Sequence, residues 1–404
     1  MQQLKIPAAF VRGGTSNGLA FLRKNLPENK DDWKQIFLAA MGSPDPHSRQ
    51  LDGMGGGISS LSKILVIEKS KTPGVDIDYT FCQVSPRESW VAYSNICGNM
   101  ASAAAPFAYD EGLISQQNGE VVVRVRSTNT GVLFDSRFYI DDGKSAVDGD
   151  FELPGVTGFH SPVRNEFLNP GGTNTGNLLP SNNIIDKLAR RDGSLIEASL
   201  VDATLAVAFI RGIDIGMTGK ELPAQIDDDK NLMSELEHLR CQAGVLMGLS
   251  EKPQNVPAVV PKIAWVNPPQ DSPSLSGEVY KSTESNFTAR MISAGNCHRA
   301  LPSTGSICTA VAARITGSVV HEIARPSRDK EDDVVITHPS GILAVSVDIK
   351  KAATGWHCSK AGVYRSQRRL FDGHVLVPAS KISASVAREL KTRIEAKRDN
   401  ENDN

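Results

Sequence analysis

Short apolar runs and period-two alternation dominate the chain and predict strands. Lys63-Ile64-Leu65-Val66-Ile67-Glu68 is a compact β-branched run, and Val75-Asp76-Ile77-Asp78-Tyr79-Thr80-Phe81 alternates polar and apolar positions. Val121–Ser127 alternates more loosely, and the N-terminus runs directly into a strand-like stretch. Ala206–Ile210, Ile263–Val266, Val319–Ile323, Val334–Thr337 and Leu343–Ile349 read as further strands. Helical spacing is rarer. From Asp31 to Met41 it aligns Trp33, Ile36, Phe37, Ala40 and Met41, with Gly42 as a stop signal. From Asp228 to Met247 it aligns Leu232, Leu236, Leu239, Ala243 and Leu246, with acidic residues first and Gly248 last. Both read as packing helices. The polar tail from Lys391 reads as fraying.

Two segments break this pattern because they consist almost wholly of small residues: Cys97–Ala105 and Cys308–Ile315. Each follows a polar, turn-prone approach, Ser94-Asn95-Ile96 in one and Ser303-Thr304-Gly305-Ser306-Ile307 in the other. A small-residue helix among strands is what a sheet needs if it curls around a central helix. One copy in each half predicts two similar α/β domains joined near residues 180–200. Their expected extents are 1–185 and 186–374, with 375–395 packing back on the first.

Composition narrows the function. The 404 residues carry 44 Lys plus Arg against 46 Asp plus Glu, a net charge of −2. So neutral a balance argues against nucleic-acid or membrane-surface binding, which depends on a basic excess. No run of 18 apolar residues and no apolar leader segment occurs, so a reducing, cytoplasmic setting with free thiols is expected. The six cysteines, at 82, 97, 241, 297, 308 and 358, form no CxxC pair, so no metal site is expected.

Cys97 carries the clearest chemistry. At a helix start its sulfur lies beside unpaired backbone N–H groups, at the positive end of the helix dipole. The plainer reading is a small buried cysteine. The same two readings apply to Cys308, and the match between the two halves favours the chemical one. The other four cysteines read as structural. Arg12-Gly13-Gly14-Thr15-Ser16-Asn17-Gly18 and Gly53–Lys63, with Ser59 and Ser60, are loops whose backbone and hydroxyl donors suit carboxylate or phosphate groups. Neither fits a P-loop or a dinucleotide fingerprint. Lys63, beside Ile64 and Leu65, reads either as a partly desolvated general base or as an exposed strand-edge lysine. His298 reads as a carboxylate ligand or a satisfied core histidine. His338 lies in a turn able to reach a ligand. No HExxH, GxSxG or papain-like signature is present.

Eight segments in order resemble the PrpF family, the 2-methylaconitate cis-trans isomerases and their relatives. They are Arg12-Gly13-Gly14-Thr15-Ser16, Ser62-Lys63-Ile64, Asn95-Ile96-Cys97-Gly98-Asn99 and Gly176-Asn177-Leu178-Leu179-Pro180. Then come Gly216–Pro223, His298 with Thr304-Gly305-Ser306-Ile307-Cys308, His338-Pro339-Ser340-Gly341 and Arg368–Val375. The resemblance implies a diaminopimelate-epimerase-like fold, with two domains each wrapping a mainly antiparallel sheet around a central helix and the active site in the cleft between them. It also implies cofactor-free proton transfer on a small polycarboxylate, with Lys63 and Cys97 catalytic. Arg12, Thr15, Ser16, Asn17, Ser59, Ser60, Gly98, Asn99, His298, Thr304, Gly305, Ser306 and Cys308 are the candidate substrate contacts. A homodimer is the one protein partner considered. The chain departs from the family at Asn17, where lysine is usual, and at Thr204-Leu205, where Asn-Pro is frequent. Two other readings stay open: an amino-acid epimerase using Cys97 and Cys308 as opposed bases, and a polycarboxylate-binding protein without catalysis.

Overall fold

A computed structural model describes residues 3–402 apart from Ser94, Asn95, Gln116, Ala294, Arg328, Lys330, Glu331 and Thr354, and describes Ser293 and 394–402 by their backbone alone. Ser94 and Asn95 of the approach to Cys97 thus lie outside the described residues. The chain divides into two compact units, Met1–Asn165 with Arg365–Asn404, and Glu166–Tyr364. The expected boundaries were 185/186 and 374/375; both divisions fall earlier. The second falls inside the strand Gly355–Pro378, whose length no local signal marked.

In the first unit, β1 (Gln3–Gly13) and β2 (Ser16–Leu22) form an antiparallel hairpin in which Arg12 faces Asn17 and Gly13 faces Ser16. The helix α1 (Trp33–Met41) follows, ended by Gly42 at φ 72°. β3 (Lys63–Lys69) then runs parallel to β2, and β4 (Ile77–Val84) returns antiparallel to β3. After α2 (Gly98–Asp110), the strand Gly119–Ser127 runs parallel to β4 and pairs antiparallel with Leu133–Asp141. Residues Gln367–Pro378 pair with β1 along its length, with a bulge at Phe10/Val11.

α2 touches β1, β2, β3, β4 and the later strands, so the sheet curls around it. Met100 through Ala108 are buried on every side, which is why the helix is built of alanines: a wider side chain would hold the surrounding strands apart. On the other face of the sheet, Leu4, Ile6, Phe21, Ile64 and Val66 pack against Trp33 and Phe37 of α1 and against Val386 and Leu390. The last two belong to the helix Ala384–Asn402, which extends through the polar tail read as fraying.

The second unit repeats the order. Leu195–Asp202 and Ala206–Arg211 are antiparallel, Lys262–Asn267 is parallel to the latter, and Phe287–Ser293 is antiparallel to Lys262–Asn267. Val334–His338 runs parallel to Phe287–Ser293 and pairs antiparallel with Gly341–Ala352. The helix Lys230–Leu246 stands where α1 stands in the first unit, and Ser303–Arg314 stands where α2 does. Pro223–Asp228 is a separate short helix, and Asp229 caps Lys230–Leu246 through bonds from the Asn231 and Leu232 N–H groups. The predicted strand Val319–Ile323 is a helix. Its Ser318 hydroxyl accepts from the His321 N–H at 3.0 Å, a cap that outweighs the β-branched propensity of Val319 and Val320.

Candidate active site

Strand alternation decides which loop residues meet. Lys63 is in register with Gly18 on one side and Gln83 on the other, so it lies on a central strand and not at a sheet edge. A Cβ on Gly18 would overlap the Lys63 carbonyl, so only glycine permits this pairing. The face that carries Lys63 also carries Ser16, Tyr79 and Phe81, and it is the face that α2 covers.

Cys97 is the N-cap of α2, in extended conformation at φ −110°. Its carbonyl accepts the first helical bond, from Ala101 N–H at 2.8 Å, and the Tyr79 hydroxyl lies 3.4 Å from the same oxygen. The N–H groups of the first turn, beginning at Gly98, have no partners within the helix. Lys63 Nζ lies 3.1 Å from Cys97 Sγ and 5.6 Å from the Phe81 ring centroid. Both side chains of this pair are half-buried. An amine and a thiol in contact form one proton-exchanging unit, able to take a proton from carbon on one atom and return one from the other. Helix N–H groups alongside favour negative charge developing nearby.

The hairpin closes over the start of α2. Asn99 Nδ2 donates to Thr15 Oγ1 at 3.0 Å, and Arg365 Nε donates to Asn99 Oδ1 at 3.0 Å. Gly14, at φ 53°, packs so closely on the Asn99 side chain that a Cβ there would overlap Oδ1. Ser16 is buried, and among the described residues its hydroxyl has no hydrogen-bond partner. Ser59 and Ser60 lie on the 3-10 turn Ser59–Leu61 leading into β3, Ser59 exposed and Ser60 half-buried.

Arg12 and Asn17 take other places than expected. They face each other across the hairpin on the opposite side of the sheet from Lys63. Arg12 Nη1 bonds the Gly14 carbonyl at 3.0 Å and the Ser366 carbonyl and hydroxyl at 3.2 and 3.0 Å, so this guanidinium braces the loop from behind. The departure from lysine at position 17 therefore falls on the face of the hairpin away from Lys63.

In the second unit the candidates divide similarly. Thr304, Gly305 and Ser306 lie in the first turn of Ser303–Arg314, whose N-cap is Pro302. The Thr304 carbonyl accepts from Thr204 Oγ1 at 2.9 Å, and Ser306, fully buried, donates to the Ser303 carbonyl at 2.9 Å. His298 is half-buried, and burial, with the Lys262 charge, pulls its imidazole below the ordinary range. His338 is buried at the end of its strand, its Nδ1 accepting from Ser340 N–H at 3.1 Å. Cys308 does not open its helix. It sits on the sixth residue, fully buried, with Sγ donating to the Val201 carbonyl at 3.3 Å, and burial pushes the thiol well above its usual range. Its thiol is therefore enclosed in the core of the second unit, unlike the half-buried Cys97. The matching small-residue pattern located the helix correctly but not its first residue.

Three residues near the pair were not read from the sequence. Arg365 and Tyr79 touch α2, and Phe81 underlies Lys63. Arg365 stands only three residues before the Arg368–Val375 motif, but its partner Asn99 is 266 positions away. Among the described residues, no three His, Cys, Asp or Glu side chains group to hold a metal ion, and no helix is long and apolar enough to cross a membrane.

Known proteins resemble this chain over nearly its whole length. The family model described as PrpF protein matches residues 3–378. A 3-methylitaconate isomerase of Eubacterium barkeri is 34% identical over 94% of this chain and 99% of its own length. A 2-methyl-aconitate isomerase of Shewanella oneidensis is 34% identical over 93% and 98%. The crystal structure of a methylitaconate-delta-isomerase superposes with a TM-score of 0.88 at 32% identity, covering 95% of this chain and 98% of that one.

Proposed function

The chain belongs to the PrpF family and is an isomerase, and we propose that it acts without a cofactor on the double bond of a small unsaturated di- or tricarboxylic acid. The observation that carries this reading is the 3.1 Å contact between Lys63 Nζ and Cys97 Sγ at the N-cap of α2. A C–H next to a conjugated carboxylate is weakly acidic, and its removal leaves a dienolate spread over the acid. One member of the pair takes that proton. The electrons shift along the conjugated system, and a proton returned to another carbon, or after rotation about the loosened bond, gives the isomer.

Backbone N–H groups at Gly98 and Asn99, in the first turn of α2, support this reading as donors for the carboxylate of such an anion as it gains charge. A preorganised donor of this kind is worth about 3 kcal/mol of barrier. Ser16, whose buried hydroxyl on the Lys63 face has no partner among the described residues, Thr15 and Asn99 are the residues best placed to hold a carboxylate. The relatives' named substrates, methylitaconate and 2-methylaconitate, carry the pattern that this chemistry needs.

NMR of aconitate, methylaconitate, methylitaconate and oxalomesaconate in heavy water identifies the substrate as the acid that takes up deuterium and changes isomer. Lys63→Ala and Cys97→Ser are expected to slow uptake by about 10²- to 10⁴-fold, the range of general acid–base catalysis. Cys308→Ala is expected to retain it within about twofold. Full activity in both Lys63→Ala and Cys97→Ser would sink the assignment.

A further inference from the structure

We propose that Arg365 is a positioning residue, holding the Asn99 amide so that its NH2 group, and never its oxygen, is turned toward Thr15 and a substrate carboxylate. The inference deepens the proposed function and rests on it only for the identity of the ligand.

A carboxamide can present either end, and Thr15 does not choose between them, because a hydroxyl both donates and accepts. Arg365 does choose. A guanidinium has donors and no acceptor, so the atom of Asn99 within 3.0 Å of Arg365 Nε has to be the oxygen. The amide nitrogen then points at Thr15 Oγ1, also at 3.0 Å. Because Thr15 accepts that bond, its own proton is left to donate outward, and Thr15 is exposed. The chain from Arg365 through Asn99 to Thr15 is thus a line of donors all pointing one way, each polarising the next. It starts at a buried cation and ends at a hydroxyl on the surface of the hairpin. Such a line favours an anion and disfavours a neutral amide or ester of the same shape.

Gly14 adjoins the amide so closely that even a Cβ there would overlap the Asn99 oxygen. Arg365 itself is 9% exposed, and burial lowers its guanidinium to about 10, so it stays charged at neutral pH. Sulfur, amine and phenol groups also face this corner: Cys97 at the start of α2, Lys63 on β3 and Tyr79 on β4.

A readout that needs no substrate is the Asn99 side-chain amide in protein labelled with ¹⁵N-asparagine, assigned by its disappearance in Asn99→Asp. In the wild type its two protons are expected to be distinct and slow to exchange. Arg365→Gln, which can either donate or accept, is expected to speed exchange at least tenfold, and Arg365→Lys, again a pure donor, to restore most of the protection. With the acid found active, Arg365→Gln is expected to raise KM about tenfold while kcat changes less than threefold. In an Asn99→Ala background the same change is expected to add nothing, as for two residues acting through one contact. A merely structural arginine would instead lower Tm and the active fraction, and leave KM unchanged. An undisturbed Asn99 amide in folded Arg365→Gln protein, or KM effects that multiply in the double variant, would overturn the proposal. If the wild type turns over none of the acids, the functional reading fails while the amide measurement still decides the role of Arg365.

Discussion

Thr204 is a β-branched residue held at φ 65°, a left-handed conformation that costs such side chains of order 1–3 kcal/mol. Its single hydroxyl proton is shared between the Ala203 and Thr304 carbonyls, and the second of these keeps the turn attached to the first turn of Ser303–Arg314. Asparagine tolerates this conformation far better and can still donate to Thr304. Thr204→Asn is therefore expected to stabilise the second unit by about 1 kcal/mol, read as a higher urea midpoint; a lower midpoint would contradict it. In the sequence, position 204 stands out only as a departure from an asparagine frequent in the family, and the backbone angle supplies the physical meaning. Cys97 and Cys308 teach a related lesson. Their surroundings look alike as strings of small residues, yet one caps a helix and the other lies a turn and a half inside one. Residue identity named the candidates, and the helix start decided which of them has accessible chemistry.

The recurring elements follow one order in both units: two strands, a helix, two strands, a second helix, two strands, with the pairings alternating antiparallel and parallel. Most of these were legible because each carries its own periodicity and its own stop signals, as Gly42 and Gly248 do. Val319–Ile323 was misread because its three β-branched residues, Val319, Val320 and Ile323, favour a strand and five positions are too few to show a period, which leaves the Ser318 cap to decide. The terminal helix Ala384–Asn402 was missed for a similar reason. Its polar composition hides two anchors, Val386 and Leu390, which reach the core around Trp33. Leu390→Ala is expected to cost the first unit about 2–5 kcal/mol, seen as an earlier unfolding transition of that unit. A change below about 0.5 kcal/mol would show that the helix is not part of the core.

At the scale of the whole molecule, buried titratable groups limit the pH range of stability. Burial lowers the imidazoles of His160 and His298 below their ordinary range. Unfolded histidines take up protons below about pH 6.5 while these resist, so stability falls as pH drops through that value. Burial raises Cys82 and Cys308, and pushes Cys297 and Cys358 up to about 12. Unfolded thiols ionise above about pH 8.5 while these stay protonated, so stability also falls as pH rises beyond that point. Urea midpoints measured in reductant are expected to peak between about pH 6.5 and 8.5; a midpoint still rising at pH 9.5 would contradict this. The sequence by itself determined the strand-rich α/β class, the doubled architecture, the family, and Lys63 and Cys97 as the pair to examine. Those are properties of local pattern and of short motifs, which survive whatever the chain does at long range. Only the tertiary structure decided that Arg12 and Asn17 lie behind the sheet, that Cys308 is sealed in the core, and that Arg365 meets Asn99. Each depends on strand register or on the late return of the chain to β1. Register is set by packing over hundreds of residues and leaves no mark at the positions it brings together.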